Sequence, residues 1–142
     1  MRRYLVVAHR TLGGPHLVEA LQRLRAQDPY CTFHLIVPEY HPSTRTWSDH
    51  DVHVAAKATL DEMLERLAEM RIGATGEIGD ANPVYAVGST LRREGEHSIA
   101  GIIVSTLPKG ISRWWLLDVP RRMANQYPNI PVTHLVAEEA LV

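Results

Sequence analysis

The sequence predicts an α/β fold in which helices cover a parallel β-sheet. Five short apolar runs alternate along the chain with four longer segments whose apolar residues recur at helical spacing. This βαβαβαβαβ order favours a parallel sheet, because parallel strands need crossover connections and helices usually provide them. With 142 residues and no internal repeat or low-complexity tract, the chain is predicted to form one domain over residues 1–142.

The first third of the chain contains two predicted strands with a helix between them. The first strand covers residues 4–8, and the second covers residues 32–37 and stops at Pro38. Gly13, Gly14 and Pro15 precede the helix, as is typical of a helix start. The apolar face of this helix consists of Leu17, Ala20, Leu21 and Leu24.

A long second helix follows a surface loop that is predicted over residues 38–49. Asp49 or Asp51 caps this helix and Gly73 ends it. The remaining strands are predicted at residues 74–78, 102–104 and 131–136. The remaining helices are predicted after a turn at residues 79–83 and over residues 113–126, with Pro120 in the early turns of the last one.

Composition excludes several classes of function. The net charge of −1 argues against a nucleic-acid partner and against an anionic membrane surface. No apolar run approaches the length that spans a bilayer, and the N-terminus lacks the apolar segment of a signal peptide. Cys31 is the only cysteine and cannot form an internal disulfide, so we expect a reducing, cytoplasmic location.

Several local motifs occur in an order and spacing that are typical of one family. The first strand and the residue after it read Tyr-Leu-Val-Val-Ala-His over residues 4–9, and a Gly-Asp turn over residues 79–83 precedes the third helix. Gly-Ile-Ser-Arg follows the fourth strand at residues 110–113, and the last strand starts with Pro131 and Val132. In these motifs the whole chain resembles the universal stress protein family. That resemblance implies a Rossmann-like, adenine nucleotide alpha hydrolase-like sheet of order 3-2-1-4-5 and a homodimer that pairs through the last strand.

The chain departs from the family at the motif that many members use to bind ATP. That motif reads G-x-x-G, nine residues, then G-[ST]; its four defined positions are occupied here by Val104, Leu107, Leu117 and Asp118. Glycine lets a backbone approach phosphate closely, so the two leucines would fill that space. Asp118 would place a carboxylate where the phosphate should lie, and like charges repel. We therefore expect no classical ATP site and no obligatory cofactor, with ATP or another nucleotide as the alternative.

A candidate ligand cleft is expected where the implied strand order reverses, between the first and fourth strands. Glycine amides and basic side chains at this cleft could bind a small anion. Ala8 and Val37 could line an apolar pocket for a nucleotide base. The competing interpretation is that the glycines only turn the chain and the basic side chains are solvated. The candidate residues are Ala8, His9, Arg10, Gly13, Gly14, Val37, Ser105, Thr106, Lys109, Gly110, Ser112 and Arg113.

Two other kinds of site are weaker interpretations. His50 and His53, with His41, Asp49 and Asp51 nearby, have a spacing that suits a metal ion, but a capping cluster at a helix start explains them as well, and no metal site is predicted. A hydrolase or transferase would pair His9 with a hydroxyl from Ser105, Thr106 or Ser112. No nucleophile elbow or placed acid accompanies those residues, so no catalytic residue is assigned.

The leading functional hypothesis is a binding or regulatory module of the universal stress protein type that lacks the standard ATP motif. The alternatives are a nucleotide-binding stress protein with altered phosphate contacts and, from a different class, the small hydrolase or transferase that uses His9. The expected partners are a second copy of the chain, through residues 131–136, and a small anionic ligand. His134 lies in this last strand and is interpreted as a core or interface histidine.

Overall fold

A computed structural model describes residues 2–8, 14–39, 49–106 and 114–136. The strands are β1 (Arg3–Val7), β2 (Thr32–Pro38), β3 (Ala74–Gly79), β4 (Ile99–Thr106) and β5 (Val132–Val136). The α-helices are α1 (Pro15–Gln27), α2 (Asp49–Glu69), α3 (Pro83–Glu94) and α4 (Trp114–Gln126), and a short 3-10 helix covers Glu96–Ser98. No helix in these ranges is both long and apolar enough to cross a membrane.

All neighbouring strands of the sheet pair in parallel, in the order β3-β2-β1-β4-β5. This confirms the predicted fold class and strand order. β1 is central, with Val7 in register with Ile36 on β2 and with Val104 on β4. The order of connection reverses between β1 and β4, so the ligand-binding position of such sheets is at their carboxyl ends.

Alternate residues of the buried strands supply two apolar layers, one on each side of the sheet. Val6, Phe33 and Ile103 belong to the layer that packs under α1 and α2. Leu5, Ile36 and Ile102 belong to the layer that packs under α3 and α4. Central strands that are buried on both faces read as continuous apolar runs, which is why the sequence locates them well.

Helix ends follow local chemistry, with departures from the prediction in α2 and α4. α4 begins at Trp114, one residue after the predicted start, and α2 includes Asp49 and Asp51, its two predicted caps. The Asn82 side chain caps α3 by accepting a hydrogen bond from the Val84 amide at 3.0 Å. α2 ends at Glu69 instead of at Gly73. The reversal occurs at Arg71, whose φ of 61° lies in the left-handed region, so a residue other than glycine makes this turn.

Strand boundaries also differ from the prediction: β1, β3 and β5 by one residue at one or both ends, and β2 and β4 in ways that bear on the site. β4 extends beyond residues 102–104 at both ends, because Ile99 is buried and the polar Ser105 and Thr106 are buried as well. Ser105 and Thr106 are therefore the last residues of a strand and do not begin a loop. Pro38 is the last residue of β2, in register with Gly79, and does not stop the strand before it. Most of the predicted loop, residues 40–48, lies outside the described residues.

Candidate functional site

The candidate cleft at the carboxyl ends of β1 and β4 is built on buried backbone. Ala8 directly follows β1, is 3% exposed, and donates its amide to the Ile36 carbonyl at 3.2 Å. Val37 is 2% exposed and, with Ala8, belongs to the apolar layer under α1 and α2. Gly14 precedes α1 in an extended conformation, and its carbonyl accepts the Val18 amide at 3.2 Å.

Seven of the twelve candidate site residues lie outside the described parts of the chain. They are His9, Arg10, Gly13, Lys109, Gly110, Ser112 and Arg113. The five that are described are Ala8, Gly14, Val37, Ser105 and Thr106. The base-pocket pair and the two hydroxyl residues are thus located on β1, β2 and β4, whereas the proposed cationic contacts of the cleft stay predictions.

A small hollow between described residues lies beneath this point of the sheet. Its volume is about 10 Å³, and it is lined by Val7, Ala8, Pro38, Pro83, Val104, Ser105 and Val119. A volume of this size corresponds to about one water-sized probe. Val104, which stands at the first glycine position of the ATP motif, is 1% exposed and packs in the layer under α3 and α4.

Thr106 contacts a histidine other than the His9 of the catalytic hypothesis, and His9 itself lies outside the described residues. The Oγ1 of Thr106 lies 2.7 Å from Nε2 of His134, which projects from the neighbouring strand β5. Thr106 is 1% exposed, while His134 is exposed. Partial burial of the ring disfavours its charged form and lowers the pKa of His134. His134 is therefore a hydrogen-bonded residue at the carboxyl end of the sheet, close to the candidate cleft.

A second polar cluster, which the sequence analysis did not identify, lies on the α3 side of β2 and β3. The buried His34 bridges two residues of β3: its Nδ1 lies 2.6 Å from Oγ1 of Thr75, and its Nε2 lies 2.8 Å from Oε2 of Glu77. Arg3 on β1 donates a hydrogen bond to the same Thr75 hydroxyl at 2.9 Å. We call these residues, together with the helix residues described next, the Glu77 network.

Helix α3 completes the Glu77 network from above the sheet. Arg93 donates to Oε2 of Glu77 at 2.5 Å, and the Thr90 hydroxyl donates to Oε1 at 3.3 Å. Burial alone would raise the pKa of Glu77, but hydrogen bonds from His34 and Arg93 and their charges outweigh it and lower that pKa. His34 and Glu77 are polar residues within predicted strands. This interruption of the strand pattern is the only signal in the sequence that marks them.

The histidine cluster at the start of α2 is only partly described. His53 Nδ1 lies 3.6 Å from Oε1 of Glu39, the residue after β2, and both side chains are partly exposed. In the ranges that the structure describes, no three histidine, cysteine or acidic side chains come together as metal ligands would. The side chains of Asp49, His50 and Asp51 and the whole of His41 lie outside those ranges.

Comparison with solved structures identifies the fold. No protein-family model and no curated protein matches the chain. A universal stress protein family member from Burkholderia pseudomallei aligns at 12% identity with a TM-score of 0.61, over 95% of this chain and 96% of that one. A family protein from Arabidopsis thaliana with AMP bound aligns at 10% identity with a TM-score of 0.58, over 97% and 93%. A universal stress protein in complex with cAMP aligns at 15% identity with a TM-score of 0.55, over 98% of both chains. The five strands, their order and the four helices of this chain thus form the universal stress protein fold.

Proposed function

We propose that this chain is a regulatory binding module of the universal stress protein type that does not bind ATP in the manner of the classical motif. The observation that supports the proposal most directly is the apolar packing beneath the point between β1 and β4. There, Val7, Val104 and Val119 are buried in one apolar layer, where the classical motif has a glycine in place of Val104. A triphosphate needs backbone amides that it can approach, and bulky side chains obstruct that approach.

The position of Val104 supports the same conclusion. Its side chain packs into the apolar layer with Val119 of α4, so it occupies core volume that a glycine would leave open. Asp118, at the last position of the motif, lies in α4 and is partly exposed. A carboxylate at that position disfavours a polyphosphate through charge repulsion, and this effect does not depend on how the nucleotide base is bound.

The second candidate function is binding of a nucleotide with a smaller phosphate group. Ala8 and Val37 lie at the position where a base would bind, although both are buried in the apolar layer under α1 and α2. Ser105 and Thr106 bring two hydroxyls to the end of β4, where a ribose or a single phosphate would lie. Two structures of the same fold contain AMP and cAMP, which makes these two nucleotides the appropriate probes.

Calorimetric titration of the purified protein with Mg-ATP, AMP and cAMP tests both candidates. The leading proposal expects no ATP binding at micromolar concentrations, and a micromolar or tighter Kd for ATP would overturn it. Micromolar binding of AMP or cAMP, without ATP, would establish the second candidate instead. The combined variant Leu107→Gly, Leu117→Gly, Asp118→Ser is expected to gain ATP affinity, while Asp80→Ser, at an exposed turn residue, serves as the matched control.

We also propose that the protein forms a homodimer through the outer edge of β5, with which no other described strand pairs. An unpaired strand edge exposes backbone hydrogen-bonding groups, and pairing with a second copy satisfies them. The edge carries Val136, which is 42% exposed. Sedimentation at micromolar concentration should give a dimer mass that Val136→Lys lowers. Val54→Lys, at a residue of α2 that is 51% exposed, should leave the mass unchanged. A monomeric wild-type protein would exclude the dimer.

A further inference from the structure

A groove distinct from the candidate cleft lies on the α1 side of the sheet. Helix α1 forms one wall, and β4 and β5 form the floor and the other wall, with Leu24, Ile103 and Leu135 providing apolar surface. Its volume is about 440 Å³, which falls within the range of about 300–1,000 Å³ that is typical of small-molecule sites. Because α3 and α4 pack on the opposite face of the sheet, α1 is the only described helix that borders this part of β4 and β5.

A local irregularity of the sheet opens the floor of the groove. The register of β1 with β4 jumps from Arg3 opposite Ile99 to Tyr4 opposite Gly101, so Ala100 is an extra residue in β4. Bulges of this kind occur preferentially beside binding sites. A Cβ on Gly101 would lie 3.1 Å from the Tyr4 ring and 3.4 Å from the Pro131 carbonyl oxygen. Glycine at this position therefore keeps the space between Tyr4 and β5 free of a side chain.

The polar groups around the groove favour an anion. Its lining includes two cationic side chains, Arg2 and Arg23, and no carboxylate. Arg2 is 70% exposed and forms only a long contact of 3.7 Å with Asp28. Arg23 is exposed and makes no ion pair within the described parts of the chain. Gln27 adds amide donors at the same end of α1.

We propose that this groove binds a medium-chain alkyl carboxylate, with the carboxylate at Arg23 and Arg2 and the chain along β5. The groove extends from Pro131 to Leu135, a distance of roughly 13 Å for four strand residues. An extended chain of about ten carbons suits an apolar channel of this length, and each buried methylene adds to its affinity. The arginines face solvent at one end, which matches an amphiphile with a single charged head group.

Decanoate, used below the concentration at which it forms micelles, is the probe for this site. Amide chemical-shift mapping on the full chain should show saturable changes at Gly101, Ile103 and Leu135. Calorimetry should show that Arg23→Gln weakens binding about tenfold, the effect of one lost charge-assisted hydrogen bond. Arg121→Gln, at an exposed residue of α4 on the other side of the sheet, is the matched control and should bind as the wild type does.

Two variants that fill the groove from opposite walls distinguish specific binding from general adsorption. Ala20→Leu extends a side chain from α1, and Thr133→Tyr extends one from β5. Each variant that retains the wild-type circular dichroism spectrum should lose decanoate binding. Decanol should bind at least tenfold more weakly than decanoate. Equal affinity for decanol, unchanged binding by both filled variants, or shifts that map away from the groove would each overturn the proposal.

A second copy of the chain is the competing occupant of the groove. If it covers this surface, the filled variants should lower the sedimenting mass, and decanoate should not bind at any protein concentration. That result would overturn the carboxylate site. The outcome is independent of the nucleotide titrations, since the groove shares none of its described lining residues with the hollow between β1 and β4.

Discussion

Two histidine–threonine pairs in this protein have almost the same contact distance and different surroundings. In the Glu77 network, a ring nitrogen of His34 lies 2.6 Å from the Thr75 hydroxyl. At the end of β4, a ring nitrogen of His134 lies 2.7 Å from the Thr106 hydroxyl. His34 is 5% exposed and its second nitrogen contacts Glu77, whereas His134 lies on the edge strand and is partly open to solvent.

The difference separates a structural network around the buried His34 from a pair with one solvent-exposed member, His134. The partners of Glu77 come from two other elements, His34 from β2 and Thr90 and Arg93 from α3, so the carboxylate ties β2, β3 and α3 together. A network that is this fully connected holds the fold and offers few free groups to a ligand. The Thr106–His134 pair connects only β4 and β5 and lies at the carboxyl end of the sheet, where ligands bind in folds of this kind.

Removal of the Glu77 carboxylate should have the largest effect on stability. Glu77→Ala leaves His34, Thr90 and Arg93 without a shared acceptor, so we expect the free energy of unfolding to fall by about 2 kcal/mol at neutral pH. Urea denaturation measures this change. Glu65→Ala, at an exposed position of α2, should change stability by less than about 0.5 kcal/mol. Equal effects of the two substitutions would contradict a structural role for the network.

Acidic pH should reduce the contribution of the Glu77 carboxylate to the free energy of unfolding. The pKa of Glu77 is lower in the folded protein than the ordinary value of 4.5, because hydrogen bonds from His34 and Arg93 outweigh the opposing effect of burial. Its stabilisation is therefore complete above pH 4.5 and is lost as the pH falls through the lower folded value. The stability difference between wild type and Glu77→Ala should shrink over that window. A difference that is constant between pH 7 and acid would contradict the ionised form of the network.

The two pairs also show which parts of this fold the sequence pattern predicts and which parts depend on contacts between distant residues. Runs such as Ile102 to Val104 are buried on both faces, so their apolar character marks the central strands directly. Ser105 and Thr106 are polar, so their extension of β4 depends on neighbours in space that the pattern does not contain. His34 and Glu77 are separated by more than forty residues in the chain, and only the pairing of β2 with β3 brings them together.

The candidate site was predictable to a lesser degree than the fold. The position of the site follows from strand order, and the sequence placed Ala8, Val37, Ser105 and Thr106 near it. The partner of Thr106 did not follow from the sequence, because β4 and β5 must first pair in register before His134 reaches it. Side-chain partners across a sheet depend on register, and a shift of one residue would turn His134 to the other face.

A smaller effect is expected when the hydroxyl at the end of β4 is removed. Thr106→Val keeps the shape of a side chain that is 1% exposed and removes its hydrogen bond to His134. Because the imidazole can then bond to water from its exposed side, we expect a loss of about 1 kcal/mol or less in the free energy of unfolding. Thr75→Val in the Glu77 network should cost more, since the buried His34 then has no alternative partner for its Nδ1. The reverse order would contradict the distinction between the two pairs.

The smallest effect should come from protonation of His134. Its pKa is lowered by partial burial from the ordinary value of 6.5, so the unfolded chain takes up a proton at higher pH than the folded chain does. Stability should therefore fall as the pH decreases below 6.5. This pH range begins above the range in which protonation of Glu77 lowers stability. His134→Gln keeps a polar side chain without a titrating ring, and it should remove this part of the pH dependence while leaving the acid window of Glu77 unchanged. Urea denaturation of both proteins from pH 7.5 to pH 5 makes the comparison, and parallel curves would exclude a contribution from His134. A ligand that binds beside Thr106 and excludes water from the ring should lower the pKa of His134 further, which histidine proton shifts in a pH titration would reveal.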